Sequence, residues 1–464
     1  MLPANLDLRA QLAAVDAAIA ELRSRLKALE DVRGPIQRQL NRIVYPVLTL
    51  PPEIVTSIFL QYLSPPAVFT PRKKTGSKPT LPVPLLLLQI CRVWREIALS
   101  APDLWSCLYI NTGDLGIGSR IWDTEVVSNW FGRAGSCPLT FSLKDTWPLT
   151  NKLFPILSPL APRLQNLYLD TPDQFEKLAD IGPFPILETL AICHPNDDPD
   201  APLKIFPTAP RLHHILFKKP KTPRMWIIPP SVKKVTCATM SVNGCIDLLQ
   251  RGPFLEELSC NLYRVSTSHT KVITHNHLET LRLSGRLSGF IRLFQLPALH
   301  NLYLSPGSEL EGNFDHFPSF LASTSVRLFH AAQEISSLAV EWFATSMPGL
   351  VDLELCNPQL QFFSRFLRDP RFLPHLRTLA FQECDFELDA AMLQALSTRC
   401  VADESTAVIE SFRQIWPANA HFKSKSSPPC LDDSILAACR ELVERRMTIH
   451  VGPVDQNLVG AYNQ

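Results

Sequence analysis

Residues 296–304 read LPALHNLYL, and residues 161–169 read APRLQNLYL. In both, a proline is followed two residues later by an apolar residue, and the pattern then runs apolar-x-x-apolar-x-apolar. The same pattern starts at Leu164, Leu187, Leu212, Val232, Leu255, Leu278, Leu299, Val326, Leu350 and Leu376. Successive starts lie 23, 25, 20, 23, 23, 21, 27, 24 and 26 residues apart. Eight of the ten carry the proline, and Asn276 and Thr324 take its slot in the others. The last two apolar positions are two apart, so both side chains fall on one face of a short strand. Proline just before the strand removes a donor without taking a ladder hydrogen bond. The stretch between strands has room for one helix, and EISSLAVEWFATS at 334–346 has the helical period.

A strand recurring at this period reads as a leucine-rich repeat of irregular type. CPLTFSLKD at 137–145 resembles an opening strand, and ILAACRELVERRMTIHVG at 435–452 a closing helix and strand, as a solenoid needs caps. The fold expected for 111–464 is therefore an irregular leucine-rich-repeat solenoid with terminal caps, and the chain as a whole is α/β. The third, fifth and seventh positions of each pattern point away from the apolar core. They include Asn166, Tyr168, Asp170, His214, Lys218, Lys234, Glu257, Asn261, Arg282, Asn301, Tyr303, His330, Asp352 and Glu354. We take Tyr168, Asp170, His214, Lys234, Glu257, Arg282, Tyr303 and Glu354 as candidate substrate-binding residues, with the tyrosines and Arg282 as anchors. The sign of charge changes along the row, which favours a protein surface over a nucleic-acid backbone.

Ahead of the repeats, residues 8–29 place Leu8, Leu12, Val15, Ile19, Leu22, Leu26 and Leu29 at alternating four-and-three spacing, a heptad seam. Gly34-Pro35 interrupts it, and Ile36, Leu40 and Ile43 resume its register. A kinked helix and a hairpin both fit. Arg9, Asp16, Arg23 and Glu30 flank the seam on one side, and Gln11, Ala18, Arg25 and Val32 on the other. So few opposed charges specify a partner weakly. The segment 1–45 is expected to pack on the chain's own next domain, with a dimerising coiled coil as the alternative.

That next domain, 46–110, opens with LPPEIVTSIFLQYL at 50–63, whose apolar residues come in pairs every four residues. The proline-rich, basic stretch SPPAVFTPRKKTGSKPTLPVP at 64–84 reads as a flexible insert. After it, PLLLLQICRVWREIALSAPDLWSCL suits a helix starting at Pro84, with Leu87, Cys91, Trp94 and Ala98 on one face and Leu86, Ile90, Val93 and Ile97 on another. A helix apolar on two faces has two things to pack on.

Bulk composition narrows the function. Net charge is +1, which leaves no electrostatic footprint for nucleic acid. The longest apolar run, LPVPLLLLQI, is too short to span a bilayer, and the first ten residues lack the pattern of a signal peptide. The 12 cysteines are scattered singly, which suits reduced thiols in a cytoplasmic or nuclear protein. His275-Asn276-His277 lacks an evident third ligand, and these side chains are expected to face solvent rather than bind metal. His213-His214 and Cys193-His194 are accounted for by repeat positions. FKKPKTPRMW at 217–226 is one basic loop in a neutral chain, and no glycine-rich phosphate loop occurs. The expected protein is not an enzyme and needs no cofactor or metal.

Taken together, LPPEIVTSIFLQYL, LLLLQICRVWREIA and PDLW resemble an F-box, through Leu50, Pro51, Glu53, Ile54, Ile58, Phe59, Leu63, Cys91, Trp94, Arg95, Ala98, Leu104 and Trp105. With the N-terminal heptad helix and irregular repeats, most of the chain resembles the fungal F-box-like proteins. It departs in the basic insert, and in Pro84 where an acidic Asp-Leu-Leu step is usual. The resemblance implies that Leu50, Pro51, Ile54, Ile58, Phe59, Leu63, Leu87, Cys91, Trp94 and Trp105 bind a Skp-type adaptor and through it a cullin. The repeats would hold a substrate protein for ubiquitin transfer. The alternative is a repeat scaffold that assembles partners without a ligase.

Overall fold

The structure is a computed structural model of the 464-residue chain. It describes residues 3–42, 46–63, 82–111, 124–144, 149–170, 181–192, 209–217, 228–263, 271–305, 316–332, 346–356, 365–366, 369, 372–383, 390–399, 408–416, 431–452, 457 and 459. Most of the expected helix at 334–346 and of the insert at 64–84, the basic loop after Phe217 and Cys193-His194 lie outside the described residues. The chain divides into two compact units: residues up to 65 together with 81–104 form one, and the chain from Trp105 onward belongs to the other.

The first unit is helical. Helix α1 (Pro3–Arg42) runs without a break through Gly34-Pro35, so the hairpin reading is excluded. Its heptad residues from Leu8 to Ile36 are 40–68% exposed. The expectation that this seam packs on the chain's own next domain is therefore wrong. Strong helix formers hold the helix, and nothing described in the chain covers its apolar stripe.

Helix α2 (Pro52–Gln61) begins on Pro51 and carries Glu53 in its first turn, where the missing proline N–H is harmless and the carboxylate meets the positive dipole end. Where one helix was expected from Pro84, the chain forms two, α3 (Val83–Ile90) and α4 (Arg92–Ser100). Cys91 breaks them, extended at φ −155° and ψ 170°. Its Sγ accepts the Trp94 N–H at 3.4 Å, and its carbonyl accepts the Arg95 N–H at 3.0 Å. The first satisfies a first-turn donor of α4 that has no partner within the helix, and the second is the helix's first internal bond. The unit's core takes Val55 and Phe59 from α2, Leu87 from α3, and Ile97 and Ala98 from α4. The Phe59 and Trp94 rings meet edge-on at 4.9 Å and 61°.

The second unit is built on sixteen strands among the described residues. They are β1 (Cys107–Asn111), β2 (Leu139–Lys144), β3 (Leu164–Asp170), β4 (Thr189–Ile192), β5 (His214–Phe217), β6 (Lys234–Met240), β7 (Glu257–Leu262) and β8 (Ile273–Thr274). The rest are β9 (Thr280–Gly285), β10 (Phe294–Gln295), β11 (Asn301–Leu304), β12 (Leu328–Ala331), β13 (Asp352–Cys356), β14 (Thr378–Gln382), β15 (Ser411–Ile415) and β16 (Thr448–Gly452). Strands β8 and β10 pair with each other, and the other fourteen form one sheet in sequence order. Its pairings are all parallel.

Parallel neighbours need crossovers. The described helices of this unit are α5 (Thr124–Arg133), α6 (Leu149–Leu160), α7 (Val242–Arg251), α8 (Ser288–Leu293), α9 (His316–Ala322), α10 (Ala390–Arg399) and α11 (Asp433–Glu444). The chain is thus mixed α/β, with eleven described helices and a large parallel sheet.

Nine of the ten sequence patterns start a strand two residues after the first apolar position, as with Leu299 and Asn301 on β11, and β3 starts at the first apolar position, Leu164, itself. The middle apolar positions form one buried row across the sheet: Leu167, Leu190, Ile215, Val235, Leu258, Leu281, Leu302, Phe329, Leu353 and Leu379. Four strands add to the expectation, β8 and β10 as a separate pair and two within the large sheet. β1 precedes the supposed opening strand and lies inside the segment assigned to the helical domain, while β15 falls between the last pattern and the closing strand. The closing helix and strand appear as α11 and β16.

Candidate functional site

The helical unit carries an apolar surface. On α2 the paired residues divide between two faces. Val55 and Phe59 point inward, whereas Ile54, Ile58 and Tyr62 are exposed, continuing the line of Leu50 at four-residue spacing. Leu86 and Ile90 on α3 and Val93 on α4 are exposed as well. Of the expected adaptor-binding residues, Leu50, Pro51, Ile54 and Ile58 are exposed, and Leu63, Cys91 and Trp94 are half-buried. Three are corrected. Phe59 and Leu87 are buried in the unit's own core, because each occupies the inward side of its helix. Trp105 is fully buried in the sheet unit, edge-on to Trp130 at 4.9 Å with the Arg133 guanidinium 4.6 Å over its ring.

The sheet carries a polar surface. Register places Asn166, Thr189, His214, Lys234, Glu257, Thr280, Asn301, Leu328, Asp352 and Thr378 in one row. Tyr168, Ala191, Leu216, Thr236, Ser259, Arg282, Tyr303, His330, Glu354 and Ala380 form the next. The eight candidate binding residues all lie in these rows or, for Asp170, at the end of β3, and all are half-buried. From β6 to β14 they are joined by contacts across neighbouring strands. Lys234 Nζ pairs with Glu257 at 2.9 Å, and Arg282 Nε reaches the other Glu257 oxygen at 3.5 Å. The Arg282 guanidinium lies 3.6 Å over the Tyr303 ring, whose edge meets His330 at 5.0 Å. His330 Nε2 is 3.3 Å from Asp352, and its Nδ1 is 3.2 Å from Glu354. Gln382 Nε2 donates to Glu354 Oε1.

His214 is set differently. Its Nε2 is 3.2 Å from Thr236 Oγ1, and burial, reinforced by the Lys234 charge, lowers its pKa to about 4. It is neutral at physiological pH. Tyr168 has its pKa raised by burial, so it stands as a neutral phenol. It lies five strands from Arg282, roughly 24 Å at ordinary strand spacing, so the proposed anchors do not form one pocket.

Several residues of this surface escaped the sequence reading. Tyr109 on β1 and Ser142 on β2 extend the Tyr168 row at one end, and Arg413 on β15 and His450 on β16 extend it at the other. The signal existed at β1: Trp105, Leu108 and Ile110 fit the repeat pattern, but the resemblance had absorbed Trp105 into the helical domain. At β15 the third apolar slot holds Gln414, which hid the pattern.

His275 is corrected too. Expected at the surface, it is buried. Its Nε2 is 3.0 Å from the Gly252 carbonyl oxygen, and its Nδ1 accepts the Leu278 N–H at 3.1 Å. Burial lowers its pKa. The imidazole thus ties the β9 repeat to the turn before β7, in a repeat that lacks the usual proline.

The described cysteines are free thiols; Cys237, Cys245, Cys260, Cys356 and Cys439 are buried. Burial pushes Cys237 and Cys439 up, leaving poor nucleophiles. Among the described residues no cluster of His, Cys, Asp and Glu has the makings of a metal site, and no helix is long and apolar enough to cross a membrane. No family model and no curated protein matches the chain.

Proposed function

We propose that the chain is a non-catalytic receptor subunit of a cullin-based ubiquitin ligase. The helical unit is an F-box that docks a Skp-type adaptor, and the sheet unit is an irregular leucine-rich-repeat solenoid whose polar strand rows hold a substrate protein. The observation that carries this reading is the exposed line Leu50, Ile54, Ile58 and Tyr62, together with Leu86, Ile90 and Val93. So many large apolar side chains left open by short helices mark a surface meant for another chain. The half-buried, mixed-charge rows support the second part, since they offer aromatic and arginine anchors without a continuous basic track. Such a receptor works by raising the effective concentration of a substrate lysine near a charged conjugating enzyme, and needs no catalytic group of its own.

The test is co-purification of the full chain with the adaptor, in parallel with proximity labelling of its partners. The adaptor should be recovered with the wild type. The triple substitution Tyr168→Ala, Arg282→Ala and Tyr303→Ala should keep the adaptor and lose a subset of labelled proteins. Absence of the adaptor would leave the repeat scaffold as the better description. An unchanged partner set would remove the polar rows as the receptor surface.

A further inference from the structure

The charges beside the heptad seam of α1 acquire meaning once the seam is seen to be uncovered. The eight apolar side chains Leu8, Leu12, Val15, Ile19, Leu22, Leu26, Leu29 and Ile36 are all exposed along one 40-residue helix. At 1.5 Å per residue the helix is about 60 Å long. Sealing the seams of two copies together would remove on the order of 1,000–1,600 Å², the size of a stable interface. The flanking row reads Arg9, Asp16, Arg23, Glu30, alternating in sign at seven-residue steps. Against a parallel copy this row faces Gln11, Ala18, Arg25 and Val32, which offer it little. Against a copy running the other way it faces itself. Arg9 then opposes Glu30 of the second copy and Asp16 opposes Arg23, and the twofold axis repeats both pairs.

A shift of one heptad in either direction sets Asp16 against Asp16 or Arg23 against Arg23, so the row selects one alignment. Arg33 points the same way. It occupies the seam one heptad after Leu26. A parallel in-register pair would set Arg33 against its own copy, whereas the antiparallel arrangement never does.

We propose that α1 joins two copies of this chain as an antiparallel coiled coil, aligned by the Arg9–Asp16–Arg23–Glu30 row. The dimer brings together two adaptor-docking surfaces and two polar sheet faces, so a partner with two binding segments gains effective concentration.

The experiment is light scattering on the full-length protein at low micromolar concentration and about 0.1 M salt, where exposed charges are still felt across a Debye length. Wild type should be a dimer. The acidic variant Arg9→Glu/Arg23→Glu and the basic variant Asp16→Lys/Glu30→Lys should each self-associate about tenfold more weakly or worse, while an equal mixture restores the dimer as a heterodimer. All four positions are exposed, so circular dichroism should show unchanged helix content. A monomeric wild type at these concentrations overturns the proposal, including one that recovers a different protein on α1. An acidic variant that remains as dimeric as the wild type overturns the antiparallel alignment, since an in-register parallel pair would set the new carboxylate at position 23 against Ala18, where no like charge repels it.

Discussion

Ile58 and Phe59 are neighbours in sequence on different faces of α2, one exposed and one buried, and the proposed function gives them opposite roles. Phe59 is 1% exposed and stacked edge-on against Trp94 at 4.9 Å. Phe59→Ala deletes a ring from a small core, so about 3–5 kcal/mol of the unit's stability should be lost. Ile58 is 39% exposed. Ile58→Asp therefore forfeits only partial burial. It adds a modest helix-propensity cost and an unfavourable charge in the last turn of α2, in all about 1 kcal/mol. At the adaptor surface the order reverses. An aliphatic anchor replaced by a carboxylate should weaken binding by about 2 kcal/mol or more, at least some thirtyfold. The assay pairs urea unfolding followed by circular dichroism with adaptor titration by calorimetry. The expected pattern is a folded Ile58→Asp protein that no longer captures adaptor, and a destabilised Phe59→Ala protein. If Ile58→Asp unfolds the unit as Phe59→Ala does, the residue is core and the docking surface is misassigned. If it stays folded and binds adaptor at wild-type affinity, Ile58 is not an anchor and the adaptor docks elsewhere on the unit.

Two further outcomes follow from the sheet unit. Histidines whose folded-state pKa is lowered prefer the neutral form in the fold. For His214, moved from 6.5 to about 4, the contribution to stability is full above 6.5 and is lost as pH falls from there toward about 4, with His275 acting in the same direction. Urea midpoints across pH 7.5 to 4.5 should fall accordingly, and His275→Ala should cost about 2–4 kcal/mol at pH 7.5 by stranding the Leu278 N–H and Gly252 carbonyl; a midpoint that does not change with pH would count against both histidines. Gly285 has φ +80°, and an added Cβ would lie 2.1 Å from the Leu262 carbonyl oxygen, so Gly285→Ala should destabilise by about 2 kcal/mol or more, measured by the same unfolding curve.

What the sequence disclosed about the sheet follows from how directly each feature depends on local pattern. Ten strands were readable because a strand buried on its core face must repeat its apolar residues at fixed offsets, and proline marks eight of the ten starts. The strand at Ser411–Ile415 was not, because Gln414 fills an apolar slot while being fully buried. The strand at Cys107–Asn111 obeys the pattern but directly follows the stretch that resembles an F-box, and Trp105 fits both descriptions. The break between α3 and α4 was missed for a different reason. Periodicity runs smoothly through Cys91, and only a thiol acting as a cap, an unusual choice for that position, interrupts it.

The candidate sites show the limit of pattern more clearly, because a pattern fixes which residues share a face and not what covers that face. The heptad of α1 was legible, and its expected partner, the chain's own next domain, was wrong; exposure alone decides between packing inward and reaching outward. On the sheet the outward row was legible residue by residue, yet its internal pairing was not. Lys234, Glu257, Arg282, Tyr303, His330 and Glu354 already engage one another across neighbouring strands. A partner gains little by merely neutralising these charges, since each has a neighbour at hand. Under the proposed receptor role, a partner must displace or bridge them with matched geometry, so the row would discriminate among protein surfaces more than bind any one of them tightly. Under the proposed function, affinity comes from apolar area at the distant Tyr168, whereas the face of Tyr303 already carries the Arg282 guanidinium and is reached only by displacing it.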